Sequence, residues 1–334
     1  MTNERICLPD VIVTEIGRYS LIFQFHLMDW IYLTNVIICL FLVKEFLNLL
    51  SIIFIYTIGK RLFSKRKLLK HAGEWAIVTG ATDGIGKVYA EELARDGLKI
   101  MLISRNPQKL VNVANEIERK FNVETRTVTA DFTNVDVYDK IQESVDQLSS
   151  IACLVNNVGM GVPKLDYYAT ADYVTLNFIK NIICCNTLPA ASMTHLILPK
   201  MLKQQTSGSA IINIGSHSVY RPFPFLSLYS ATKAFVYQLS RSILHENYGK
   251  QIIIQTVCPM FVSTAMNGYA KRSLFVPNAQ VYAQSALDML GVEEETFGYF
   301  GHAIKAYLTG FLPNLIWRQY MLFMKSWFDK QKRQ

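Results

Sequence analysis

From Glu74 onward, short apolar runs rich in β-branched residues alternate with stretches in which apolar side chains recur at helical spacing. That alternation is the pattern of a parallel sheet with crossover helices. Trp75 to Thr79 predicts a first strand and Gly84 to Asp96 its helix; Lys99 to Ser104 predicts a second strand, with a helix from about Pro107 to Phe121. Glu124 to Ala130 predicts a third strand, Val135 to Leu148 a helix, and Ala152 to Asn156 a fourth strand. A long helical region follows, then a strand at Ala210 to Ile214, a helix carrying Tyr229, and a strand at Ile252 to Val257. An α/β fold with a doubly wound, nucleotide-binding sheet accounts for this order.

Two stretches fall outside that alternation. Trp30 to Ile58 is almost wholly apolar, interrupted mainly by Asn35, Lys44-Glu45 and Asn48. Each half is shorter than the ~20 residues a helix needs to cross a bilayer, and the two together are longer. A single tilted span over about 36–58 and a re-entrant or two-helix hairpin both fit. Tyr299 to Phe328 reads as an aromatic-rich amphipathic tail suited to a membrane surface or a partner chain. The expected division is a membrane anchor with a basic flank (1–70), a catalytic domain (71–298) and the tail (299–334).

Charge sharpens this picture. The 334 residues carry 34 basic and 26 acidic side chains, a net charge of +8, and the excess is concentrated. Lys60, Arg61, Lys65, Arg66, Lys67 and Lys70 follow the apolar stretch as a juxtamembrane flank, which favours the cytosolic side of a bilayer. A nucleic-acid reader would spread its basic residues over a recognition face, so no nucleic-acid partner is expected. Lys330 and Lys332 near the C-terminus resemble a cytosolic dilysine retrieval signal and point to the endoplasmic reticulum. The cysteines at 7, 39, 153, 184, 185 and 258 form neither a C-x-x-C pair nor a metal-ligand spacing, and are read as buried thiols in a reducing compartment.

The candidate chemistry lies at strand ends. Thr79-Gly80-Ala81-Thr82-Asp83-Gly84-Ile85-Gly86 joins the first strand to its helix, and its glycines let backbone and a helix N-terminus approach a pyrophosphate. Ser104-Arg105 ends the second strand, where an acidic residue would bind ribose hydroxyls. A guanidinium there pairs with a 2′-phosphate instead, favouring NADP(H) over NAD. Asp131 ends the third strand and is suited to an adenine amino group. Tyr229 and Lys233 lie about one helical turn apart, downstream of Ser216. Taken alone, Tyr-x-x-x-Lys is also an ordinary surface pair; the glycine turn gives it meaning. Free tyrosine titrates near ~10, so acid–base work at neutral pH calls for a lowering by about 3, worth about 4 kcal/mol. Lys233 and a nicotinamide cation are the expected source.

Taken in order, the glycine turn, Asp131, Asn156-Asn157-Val158-Gly159, Ser216 with Tyr229 and Lys233, and Pro259-x-x-Val262-x-Thr264 resemble the short-chain dehydrogenase/reductase family over about 74–265. The resemblance implies a Rossmann-type fold, with Tyr229 as proton donor, Ser216 bonded to the substrate oxygen and Lys233 on the nicotinamide ribose. It implies Asn186 as a fourth member holding a relay water, with Asn177 and Asn181 as rivals in less fitting register. Gly80, Thr82, Asp83, Gly84, Ile85, Gly86, Ser104, Arg105, Asp131, Asn157, Gly159, Pro259, Val262 and Thr264 would bind the cofactor with Tyr229 and Lys233. Gly215 before the serine and Met260-Phe261 after Pro259 depart from the usual pattern; His217 is read as a loop residue. The phrases Leu-Ile-Ser-Arg-Asn and Leu-Val-Asn-Asn-Val-Gly are similar to the membrane-bound 17β-hydroxysteroid dehydrogenases of types 3 and 12 and the very-long-chain 3-oxoacyl-CoA reductases. A neighbouring branch, the hydroxysteroid dehydrogenase-like proteins, can lack the catalytic tyrosine. The resemblance implies a lipophilic ketone substrate, a pocket wall at Met266, Tyr269, Leu274 and Phe275, and a family habit of pairing through the fourth and fifth helices that leaves a homodimer open.

Overall fold

The computed structural model describes residues 10–204, 206–246, 248 and 251–331, so Cys7, Lys332 and Arg333 lie outside the described residues. The chain divides into two compact units, Met1–Phe54 and Ile55–Gln334. In the first, one helix, α1 (Asp10–Phe54), runs unbroken through Lys44 and Glu45, so a single helix and not a hairpin occupies the apolar stretch. Lys44 Nζ lies 3.4 Å from Glu45, and Asn48 donates to the same carboxylate at 3.1 Å, so these polar groups answer one another. The helix from Trp30 is long and apolar enough to cross a membrane. Cys39 is exposed on it, against the expectation of a buried thiol.

The second unit is built on a seven-stranded parallel sheet in the order β3-β2-β1-β4-β5-β6-β7. Its strands are β1 (Trp75–Thr79), β2 (Lys99–Ser104), β3 (Thr125–Thr129), β4 (Ile151–Asn156), β5 (Ser209–Ile214), β6 (Ile252–Val257) and β7 (Glu295–Thr296). The first six match the predicted runs to within a residue or so at each end; β7 is too short to leave a pattern. Alternate residues of a strand face opposite sides. Ala76, Val78, Ile100 and Leu102 therefore pack under α2 (Gly84–Arg95) and α3 (Pro107–Phe121), joined by a later helix, Ala279–Asp288. Ile77, Met101, Ile103 and Leu154 pack under α4 (Tyr138–Asp146) and α5 (Leu176–Lys203). Strand order reverses between β1 and β4, so the carboxyl ends of these strands open a crevice where a nucleotide is expected to bind. Helix α5 is also long and apolar enough to cross a membrane, yet Ile182, Met193, Ile197 and Met201 are buried against the sheet. The other α-helices of more than four residues are α6 (Ser227–Leu244), α7 (Ala279–Asp288), α8 (Phe300–Gly310) and α9 (Asn314–Gln331).

The unit boundaries differ from the expected 1–70, 71–298 and 299–334, for two physical reasons. Arg66, read from sequence as part of a solvated flank, pairs with Asp96 at 2.6 Å, Asp288 at 2.9 Å and Glu92 at 3.0 Å. Glu92 is buried and also accepts from Gln280 and Gln284 of α7. Tyr56 is buried too, and its hydroxyl bonds Thr296 at 2.8 Å and accepts from the Phe297 amide at 3.0 Å. At the other end, Trp317 and Met321 of α9 form a cluster with Phe225, while Arg221 donates to the Thr309 and Leu312 carbonyls. Flank and tail thus belong to the nucleotide-binding unit.

Candidate active site

The turn between β1 and α2 is held from below by β4. Thr79 Oγ1 accepts from the amides of Asn157 and Val158 at 3.0 and 3.1 Å, and the Asn157 side chain donates to the Thr79 and Gly80 carbonyls. Gly80 has φ +66°, and a Cβ there would lie 2.9 Å from Asn157 Nδ2. A Cβ on Gly86 would lie 2.3 Å from the same nitrogen and 2.4 Å from the Gly80 carbonyl. Asn157 is therefore the brace that shapes the turn, its amide engaged by backbone. Asp83 caps α2 by accepting from Gly84 N at 2.7 Å, and the first-turn amides of a helix have no partner inside it. Thr82 bonds Ser104 at 2.9 Å, which ties the turn to the end of β2. Arg105, next along, is exposed and makes no ion pair among the described residues. One Asp131 oxygen accepts from the Thr133 amide and hydroxyl. A close glycine cradle, a helix start and an unpaired guanidinium together fit a phosphorylated dinucleotide.

The candidate reacting groups lie past β5. Ser216 caps a short turn, its hydroxyl accepting from Ser218 N at 3.2 Å and bonded to Ser218 Oγ at 3.0 Å. Tyr229, in the first turn of α6, sits beside the Ser216 hydroxyl. Burial raises its pKa to about 12, with the serine hydroxyl pulling the other way. The expected lowering by Lys233 is absent from the protein's own groups. Lys233 Nζ is 6.0 Å from the tyrosine ring centroid and donates to the Ile214 carbonyl at 2.8 Å. Burial lowers the Lys233 pKa to about 8. The phenol therefore stands neutral, as a proton donor.

Of the three asparagines on α5, Asn186 is buried, Asn181 half-buried and Asn177 exposed. The Asn186 side chain accepts from Met160 N at 2.7 Å and donates to Met160 O and Thr232 Oγ1, each at 3.0 Å. Both amide donors are taken, so this side chain does not supply one to a relay water. It holds the Gly159-Met160 backbone beside the lysine: a Cβ on Gly159 would lie 3.3 Å from Asn186 Oδ1 and 3.4 Å from Lys233 Nζ.

Pro259, Val262 and Thr264 follow β6. Val262 is buried, and Thr264 heads a short turn in a reciprocal cap with Asn267. The Met260-Phe261 departure is answered by His302 of α8, a residue with no local sequence signal. Its Nδ1 accepts from Met260 N at 3.3 Å, so the proton sits on Nε2, which donates to Phe261 O at 3.2 Å. Burial lowers the His302 pKa to about 4, keeping it neutral. His217 is likewise buried, its pKa lowered to about 4 by desolvation, and its amide donates to Pro259 O, a loop role as expected.

Lys233→Met is expected to stabilise the nucleotide-free protein at pH 7 by up to about 3 kcal/mol, because folding there buries a charge. The folded pKa of about 8 lies below the ordinary lysine value, so the unfolded chain binds more protons between about 8 and 10.4. Wild-type stability should rise with pH across that window and the variant's advantage should close. Thermal melts over that pH range check this, and equal melting at pH 7 would refute it.

Sheet order, glycine cradle and the Ser–Tyr–Lys–Asn group define a nucleotide-dependent oxidoreductase. The short chain dehydrogenase family model matches residues 74–274, and the chain belongs to that family. It is 44% identical over 274 residues to the very-long-chain 3-oxoacyl-CoA reductase of Rattus norvegicus, covering 81% of this chain and 85% of the relative. It is 37% identical over 278 residues to the inactive hydroxysteroid dehydrogenase-like protein 1 of Homo sapiens, covering 82% and 81%. Among solved structures it is similar to a short-chain dehydrogenase from Sphingobium yanoikuyae in complex with NADPH. That match has 28% identity and TM-score 0.59, over 66% of this chain and 86% of the other.

Proposed function

We propose that the protein reduces the 3-oxo group of a long-chain acyl-CoA with NADPH, at the endoplasmic reticulum membrane with its catalytic unit in the cytosol. The observation that carries this is the complete group of Ser216, Tyr229, Lys233 and Asn186 in a chain 44% identical to a very-long-chain 3-oxoacyl-CoA reductase. The turn from Gly80 to Gly86, Ser104, Arg105 and Asp131 would hold the adenosine half of NADPH, while Gly159, Lys233, Pro259, Val262 and Thr264 would hold the nicotinamide half. NADPH supplies the hydride that reaches the carbonyl carbon. Ser216 orients the carbonyl oxygen, and Tyr229 gives that oxygen the phenolic proton as the C–O double bond becomes an alcohol. Lys233, once Tyr229 is left as phenolate, favours that charge. The anchor and the C-terminal lysines support the location.

Purified full-length protein should oxidise NADPH with a long-chain 3-oxoacyl-CoA and not with a 17-ketosteroid. Turnover of the steroid alone would move the reading to a steroid dehydrogenase. NADPH binding without turnover of either would favour a binding protein akin to the 37% identical inactive relative. Arg105→Ala should weaken NADPH binding by about ten- to a hundredfold and leave NADH nearly unchanged, since charge-assisted bonds contribute roughly 1.5–3 kcal/mol. Fluorescence titration with both nucleotides measures that ratio.

A further inference from the structure

Helix α9 has two unlike faces. Trp317 and Met321 are buried, and the inward face is secured: Trp317 Nε1 donates to the Pro222 carbonyl at 2.9 Å, with the Arg221 guanidinium 4.4 Å from its ring. Lys325, on the same side, lies 3.5 Å from Asp166. The outward face carries Leu315, Ile316 and Phe323, exposed at 67%, 52% and 65%, and Leu308 of α8 and Phe311 just beyond it are exposed too. This apolar surface is therefore exposed on a helix already seated on the loops that flank Tyr229. Beside it, Gly301 abuts the Leu274 carbonyl, where a Cβ would lie only 2.2 Å away. That contact sets Leu274 against the start of α8, at the end of a loop in which Met266, Tyr269, Lys271 and Arg272 are exposed.

Charge identifies what covers this face. Residues 297–328 contain no aspartate or glutamate, and neither do residues 265–287. Among the described residues of 265–275 and 308–326, the exposed charges, Lys271, Arg272 and Arg318, are cationic. A twofold contact with a second copy would bring this basic face against itself. Apolar side chains ringed by cations suit an anionic lipid surface, where rings and chains enter the interface and cations meet headgroups. We propose that α8, α9 and the 265–275 loop form a face that seats on an anionic bilayer surface, in addition to the α1 helix. A lipophilic substrate leaving the bilayer then meets the loops that border the catalytic tyrosine.

The test uses the full chain in phosphatidylcholine–phosphatidylserine vesicles, with a dansyl-bearing residue placed at Ile316, at Phe323 or, as control, at the exposed Val111 of α3. Lipids brominated on their acyl chains should quench emission at 316 and 323 by roughly twofold or more and leave 111 unchanged. Replacing the vesicles by phosphatidylcholine alone should reduce that quenching. Unquenched emission at both sites would overturn the proposal, whether the band is water-like or blue-shifted by a second copy. Equal quenching without the anionic lipid would overturn the charge requirement. Because this readout needs no turnover, it stands apart from the reductase reading.

Discussion

Tyr229→Phe is expected to lower ketone reduction by about a thousandfold or more, while the protein still folds and binds NADPH. The substitution removes one oxygen from a ring whose packing it leaves intact. Ser216, beside that hydroxyl, keeps the two bonds it accepts from Ser218. Stability should change by no more than about 1 kcal/mol. What disappears is the proton: burial holds the phenol at a pKa of about 12, so at neutral pH Tyr229 is an acid with its proton in place. Neighbouring histidines cannot replace it, because His217 and His302 are both neutral and engaged with other groups. Single-turnover assays with saturating NADPH, paired with nucleotide titration and a melt, check all three parts. Retained turnover would remove Tyr229 from the mechanism.

Gly86→Ala should have the second large effect, and on binding as well as stability. The added methyl meets Asn157 Nδ2 and the Gly80 carbonyl, two groups already bonded to each other at 3.2 Å. Neither is the flexible end of a long side chain, so the turn itself must open. Overpacking of this kind costs about 1–3 kcal/mol. Because the turn it deforms is the proposed pyrophosphate cradle, NADPH affinity should fall by roughly a hundredfold, beyond what the stability loss accounts for. Gly310→Ala is the control, since a methyl there meets nothing within 4 Å. A Gly86 variant that melts and titrates like wild type would show that the turn does not depend on that close approach.

Elements with a local signature are legible in the amino-acid sequence: continuous apolar strands, the glycine turn, the Tyr229–Lys233 spacing and Arg105 at the end of β2. Long-range partnerships are not. Asn186 shares its helix with two other asparagines; motif register favours it, but its bonds to Met160 and Thr232 leave no local trace. His302 is distant in sequence from the Met260-Phe261 segment it pins, and nothing around it announces a neutral, doubly bonded ring. The Lys233 part of the electrostatic expectation is not met by the protein's own groups, for a related reason. Placing Lys233 one turn from Tyr229 suggests a lowered phenol pKa, but spacing along a helix does not register desolvation, which raises the tyrosine and lowers the lysine. Arg66 reads as one more cation in a solvated run, whereas in the fold Glu92, Asp96 and Asp288 surround it.

That cluster bears on where the chain can be trimmed for work without detergent. A cut at residue 71, where the sequence pattern of the catalytic fold begins, would discard Arg66 and strand the carboxylate of Glu92 between α2 and α7 with a partly exposed Arg95 as its remaining cation. It would also remove Tyr56 from the Thr296 hydroxyl and the Phe297 amide at the far edge of the sheet. Removing one partner of a buried charge pair typically costs about 3–5 kcal/mol, a large share of a domain's net stability. A cut after Phe54 keeps both sets of contacts, so the usable start of a detergent-free form lies upstream of the sheet's own first strand.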